Sequence, residues 1–148
     1  MHTLMYHLDW VHYRDADPVP VELAFDHGYR GLVTMALLRE PGVTQGQLDS
    51  WLRAERLGAF MAGTPIASCV TWSPVPQNPN APMDIPLVQH TDRLDLQLWF
   101  LDDDPLTVWT RFEDFGRQVE ASGLARVAWA SPWLPTLVGT DRYTDQLW

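Results

Sequence analysis

Arg93-Leu94-Asp95-Leu96-Gln97-Leu98-Trp99-Phe100-Leu101 is the segment on which the fold turns. Side chains alternate between the two faces of a strand, so Leu94, Leu96, Leu98 and Phe100 share one face and Asp95, Gln97, Trp99 and Leu101 the other. A period of two held over nine residues predicts a strand at 93–101. Its leucine face is expected to pack on the core. Its Asp95, Gln97 and Trp99 face is expected to lie where no helix covers it. There the tryptophan would wall a pocket while the aspartate and glutamine orient a polar group. Taken out of water, Asp95 would have a raised pKa and trade protons near neutrality. An arginine such as Arg126 would instead neutralise it.

Outward from this strand, the pattern repeats on both sides. Asp102-Asp103-Asp104-Pro105 opens a helix, since acidic residues suit the positive end of its dipole. Val108, Phe112, Phe115 and Val119 give that helix an apolar stripe, Gly123 stops it, and Arg126–Ser131 follow as a strand ended by Pro132. Upstream, the continuous apolar run Gly31–Leu38 predicts a buried strand. After Pro41-Gly42, Thr44 and Gln47 form a capping-box pattern for a helix carrying Leu48, Trp51, Leu52, Phe60 and Met61. Gly63-Thr64-Pro65 ends it, and Ile66–Trp72 form the next strand. Residues 74–86 hold five prolines and read as a loop between the two halves. Residues 2–13 predict one more strand, broken by Asp15-Ala16-Asp17-Pro18-Val19-Pro20, with a short helical turn at Val21–Phe25.

The expected fold is therefore α+β: a ferredoxin-like split βαβ arrangement with an extra N-terminal strand. All of 1–148 form one domain, with 1–27 an N-terminal extension strand and loop and 136–148 a C-terminal tail. A sheet face left bare closes against a second subunit. The expectation is a homodimer built as a dimeric α/β barrel, with a pocket between sheet and helices.

Composition narrows the partners. A net charge of −9 opposes nucleic acid and anionic membrane, both of which need a basic face. All ten cations are arginine, which excludes lysine Schiff-base and P-loop chemistry. Cys69 stands alone, so no intrachain disulfide or CxxC site forms, and the expected setting is reducing and cytoplasmic. There is no run of 18 apolar residues for a membrane span, and the N-terminus lacks the pattern of a signal peptide. Eight tryptophans beside five phenylalanines suit an aromatic-lined pocket or a subunit interface.

The densest polar cluster is Tyr6-His7-Leu8-Asp9-Trp10-Val11-His12-Tyr13. Strict alternation puts His7, Asp9 and Tyr13 on one face, with His7 and Asp9 about 7 Å apart at Cα. A carboxylate at that distance can orient an imidazole as a general base. The alternative is a solvated edge strand. Asp26-His27 form a second pair that would meet in a pocket only if their loop bends. No HExxH or His-x-His occurs, and His2, His7 and His12 share no face, so no metal site is expected. Arg53 and Arg56, three apart on a helix, suit a solvated face or an anion-holding role.

Within residues 49–66, Asp49-Ser50-Trp51, Arg56-Leu57-Gly58 and Gly63-Thr64-Pro65-Ile66 resemble the helix and its exit in the EthD-like branch of dimeric α/β-barrel proteins. Arg56 stands where that family places histidine, and Gly58 where it places proline. The resemblance implies a barrel dimer acting on small organic molecules. The functional expectation is a cofactor-free enzyme performing acid/base chemistry, such as cyclisation, isomerisation, elimination or a lyase step, on a small hydrophobic, cyclic or aromatic compound. His7, Asp9, Asp95, Asp26 and His27 are the candidate proton-transfer groups. Tyr13, Gln97, Trp99, Trp51 and Arg56 are the candidate substrate contacts. A cofactor-free or haem-linked monooxygenase, or a non-catalytic binding barrel, are the alternatives.

Overall fold

Five strands form one sheet in the computed structural model, which describes residues 6–15, 29–75 and 91–134. They are β1 (Tyr6–Tyr13), β2 (Gly31–Arg39), β3 (Ile66–Pro74), β4 (Leu94–Leu101) and β5 (Ala125–Trp133). The order across the sheet is β1-β3-β4-β2-β5, antiparallel throughout. β1 and β5 are edges that do not pair with each other, so the sheet is open. Between β2 and β3 run α1 (Gln45–Trp51), a π-helical segment (Leu52–Arg56) and α2 (Leu57–Met61); α3 (Trp109–Ala121) precedes β5.

The helices cover the face of β4 opposite to the one expected. Asp95, Gln97, Trp99 and Leu101 are buried, while Leu94, Leu96, Leu98 and Phe100 are half-exposed. Trp99 decides this. Its ring meets Phe60, Phe112 and Phe115 edge-on at 5.3, 5.6 and 5.3 Å between centroids. Such T-shaped contacts add to an already large apolar burial. Val33, Met35 and Leu37 of β2 pair with Trp99, Gln97 and Asp95 and share the covered side. Leu48, Leu52, Leu57 and Met61 close over it from the first helical stretch.

The dimeric α/β barrel expected from the ferredoxin-like, EthD-like reading is therefore corrected to an open five-stranded α+β sheet with helices on one side. That reading placed the polar face of β4 outside and asked a second sheet to enclose it. The chain's own aromatic layer encloses it instead.

Local signals act as their chemistry dictates. Thr44 accepts from the Gln47 amide at 3.3 Å while the Gln47 side chain accepts from the Thr44 amide at 2.8 Å, completing the capping box. Gly123 takes φ +70° just past the end of α3. At Gly31 any Cβ would lie 2.5 Å from the Pro105 ring and 2.6 Å from the Asp103 carbonyl, so only glycine lets β2 start beneath that turn. Pro132 does not end the last strand as expected: β5 runs through it, because an edge strand tolerates a residue that cannot donate. The turn at 21–25, the proline loop beyond Val75 and the tail at 136–148 lie outside the described residues.

Truncating the aromatic layer should cost most. Phe115→Ala is expected to lower the unfolding free energy by about 3–5 kcal/mol. Leu106→Ala, at a side chain 66% exposed, should stay within about 0.5 kcal/mol of the parent. Urea titration followed by tryptophan fluorescence measures both.

Candidate functional site

The covered face carries a band of polar groups between the sheet and α1. Thr71 of β3 pairs directly with Gln97 of β4, and Asp95 lies two residues along the same face. Gln97 is fully buried, and neither its amide oxygen nor its amide nitrogen has a partner among the described residues. The Thr71 hydroxyl, one oxygen of Asp95 and one of Asp9 are likewise buried without a partner there. These unsatisfied atoms lie along one band. Leaving one such group unpaired costs about 1–3 kcal/mol.

A β-bulge brings Asp9 into this band. The register of β1 against β3 shifts between Leu8 and Trp10. The extra residue breaks strict alternation. Asp9 thereby reaches Ser73, whose hydroxyl donates to Oδ1 at 2.8 Å, while the next residue, Trp10, also packs inward on the core. This corrects the expected grouping of side chains on β1. His7 is exposed opposite Ser73, and Tyr13 pairs with Ser68 on the other side of the sheet. No hydrogen bond or ion pair joins His7 to Asp9 among the described residues.

Asp95 is held by Arg39 rather than by Arg126. Leu37 is the ladder partner of Asp95, and Arg39, two residues on, faces the same way. Its Nε donates to Asp95 Oδ2 at 2.9 Å, and its remaining nitrogens donate to the Val43 and Asp92 carbonyls at 3.2 and 2.6 Å. Arg126 pairs with Leu38 and is exposed. Burial pushes the Asp95 carboxyl up to about 7; Arg39 pulls it down, and the negative charges of Asp49 and Asp9 push it further up. Asp49, half-buried on α1, is raised by burial too, and the Trp10 indole moderates the rise.

The two arginines singled out in the sequence lie on aromatic rings. The π-helical segment widens the helix by one residue per turn and breaks its regular spacing. Arg53 sits over Trp10 at 5.7 Å and Arg56 over Trp51 at 5.1 Å. Arg53 therefore ties the helix to β1. Trp51 packs against the core, and Arg56, whose Nε is buried with no partner among the described residues, lies over it. His12 pairs with Cys69 on the covered side, and burial followed by the nearby Arg53 lowers its pKa. That group went unrecognised in the sequence because alternation without the bulge puts it on the opposite face from Asp9. Burial likewise pushes the Cys69 thiol up, which makes it inert packing.

A cleft of about 220 Å³ opens beside α3, with Glu113, Arg117 and Glu120 in its lining and none of Asp9, Thr71, Asp95 or Gln97. Met35, the ladder partner of Gln97, forms its floor, with Phe112, Gly116, Val127 and Ala130 around it. Asp26 and His27 lie outside the described residues. Among the described residues no three His, Cys, Asp or Glu side chains converge on a metal-sized site, and no helix is long and apolar enough to cross a membrane.

No protein-family model, curated protein or solved structure matches the chain.

The elevated Asp95 carboxyl carries a pH signature. Between about pH 4 and 7 the folded state holds a proton that the unfolded chain has released, so stability falls as pH rises through that window. Asp49, shifted the same way, adds to the slope. Asp95→Asn should flatten it. Unfolding free energies at half-unit pH steps, parent against variant, measure the difference; equal slopes would rule out Asp95 as its source.

Proposed function

We propose that this chain is a cofactor-free acid/base enzyme for a small, largely apolar, cyclic or aromatic molecule. Asp95 is the proton-transferring group, Gln97 and Thr71 hold the polar end of the substrate, and Trp99 backs the site. One observation carries this reading: a carboxyl only 2% exposed, fixed on one side by Arg39 and unpartnered on the other, beside a fully buried amide that has no partner of its own. A carboxyl near neutrality can both take and return a proton, which is what general acid/base catalysis asks of it. Met35, the ladder partner of Gln97, lines a cleft beside α3 that suits the body of such a molecule, and methionine is an adaptable side chain. Asp9 is the second carboxylate of the site. A reducing cytoplasmic setting suits the single buried thiol.

Carbon-bound hydrogen exchange in D₂O tests this directly. Across a panel of enolisable cyclic and aryl ketones followed by proton NMR, the protein should accelerate exchange, and Asp95→Asn should slow it by about 10²–10⁴. Exchange that is absent from the whole panel, or undiminished in Asp95→Asn, would sink the reading.

A homodimer through the second face of the sheet belongs to the same proposal: Leu8, Trp129 and Trp133 are exposed there, around Ala36, Ser68 and Val70, which are buried. The register aligns three rows across all five strands: Leu8, Trp72, Leu96, Ala36, Trp129; then Val11, Val70, Leu98, Thr34, Ser131; then Tyr13, Ser68, Phe100, Leu32, Trp133. No charged residue occurs in them, although a fifth of the chain is charged, so the repulsion of two −9 subunits falls elsewhere. Sedimentation velocity at micromolar concentration should give a dimer, and Leu98→Asp a monomer. A monomeric parent would overturn this assembly and leave the acid/base reading untouched.

A further inference from the structure

The cleft beside α3 joins aromatic walls to an unbalanced charge. One face of α3 supplies most of its lining, with Trp109, Phe112 and Gly116 buried or half-buried and Glu113, Arg117 and Glu120 exposed. The Trp109 and Phe112 rings lie 6.2 Å apart at 34°, and Phe112 is fixed by edge contacts with Phe60 and Trp99. Glycine weakens a helix interior. Here a Cβ on Gly116 would stand 3.2 Å from Val127 Cγ2, itself in the lining, so glycine keeps the cleft open. Among the described residues the charged side chains of the lining are Glu113, Arg117 and Glu120. Arg117 is taken by Asp114 on the same helix. Glu120 accepts from the Val127 amide at 3.3 Å through Oε1 and keeps its charge. Glu113 has no hydrogen bond or ion pair among the described residues. Two carboxylates thus face one guanidinium that is already paired.

From this arrangement we infer that the cleft binds a small quaternary ammonium, seated against Trp109 and Phe112 with Glu113 and Glu120 at its edge. The inference goes beyond the acid/base reading, since none of the proton-transfer groups lines this cleft. A quaternary ammonium carries positive charge on a surface of methyl groups and has no N–H to satisfy. It therefore suits walls of hydrocarbon with negative charge beside them, and aromatic faces attract it through their quadrupole. The other charge classes fit less well. A primary ammonium loses its water to walls that offer its donors few acceptors. An anion meets two carboxylates, while the guanidinium that would hold it is engaged by Asp114. A neutral apolar molecule fills the walls but leaves the charge of Glu113 unmatched. Size agrees as well: a dry cavity of about 150 Å³ takes benzene, so about 220 Å³ has room for a trimethylammonium head and a short tail.

Three probes of similar size test the charge class: choline, its uncharged carbon isostere 3,3-dimethylbutan-1-ol, and protonated ethanolamine. Each is titrated against the full chain at pH 7 and low salt, with binding followed on the ligand's proton NMR signals. Choline should bind about 3- to 30-fold more tightly than the isostere, as a cation over an aromatic face does, and more tightly than ethanolamine. Its methyl protons should show nuclear Overhauser contacts to the Trp109 and Phe112 rings. Glu113→Gln should weaken choline about two- to fivefold, and Arg117→Gln should strengthen it by a similar factor. Neither change should move the isostere, which a merely structural role for these side chains would not explain. Circular dichroism melts confirm that each variant is folded. Equal or tighter binding of the isostere or of ethanolamine overturns the inference, as do choline affinities unmoved by Glu113→Gln, contacts to other rings, or no saturable choline binding. Deuterium exchange on ketones reads Asp95 separately, so either reading can fail while the other stands.

Discussion

Burial of the Trp99 indole among Phe60, Phe112 and Phe115 fixes which face of the sheet the helices cover. On a strand the choice for one residue is the choice for every second residue. Once Trp99 faces the helices, Asp95, Gln97 and Leu101 face them as well, and the leucines at 94, 96 and 98 turn outward with Phe100. The polar band beneath α1 and the uncharged outer rows are thus two results of one packing decision. A single aromatic side chain with three aromatic neighbours outweighs the burial of four aliphatic ones because its partners come from two separate helical stretches and hold them together.

The same decision explains what could be read in the sequence and what could not. Periodicity located β4, the capping box located the start of α1, and the stripe of Val108, Phe112, Phe115 and Val119 located the buried side of α3. Each is a local signal. Which face of β4 is inside is not local. Four apolar residues on one side argue for that side until the shape of the helix layer is known, and the sequence does not display it. The closed barrel followed from that inversion. Asp95, Gln97 and Trp99 were nonetheless legible as a group because their spacing puts them together whichever way the strand faces. His7 with Asp9 was less secure. One extra residue in β1 undoes the alternation on which the pairing rested, and it brings Asp9 to Ser73 and Asp49 instead of to an imidazole. Arg39 as the partner of Asp95 was also invisible, since the two are 56 positions apart in the chain.

The first helical stretch owes its arrangement to the tryptophans beside it. A regular α-helix sets residues three apart side by side on one surface. The π-helical turns at Leu52–Arg56 separate Arg53 and Arg56 and set each over a different indole, one on the neighbouring strand and one on the helix itself. Asp49 lies one turn earlier on the side facing the polar band, so the widened segment begins where the helix roofs the site. π-helical insertions recur beside functional centres for this reason: they shift the registry of side chains without breaking the helix.

The two edges of the open sheet bear on how the protein behaves when crowded. An edge strand offers unpaired amides and carbonyls on which a neighbouring chain can build. Here neither edge is a clean template. β1 is interrupted by the bulge at Asp9, and β5 by Pro132, which has no amide hydrogen, and by a register break opposite Ala36 and Leu37. Bulges and prolines at such places stop strand-by-strand growth. These interruptions keep strand-by-strand pairing from spreading into the edge-to-edge ribbons that seed aggregates and fibres. One bulged aspartate and one proline thus help to keep the protein's insoluble states remote.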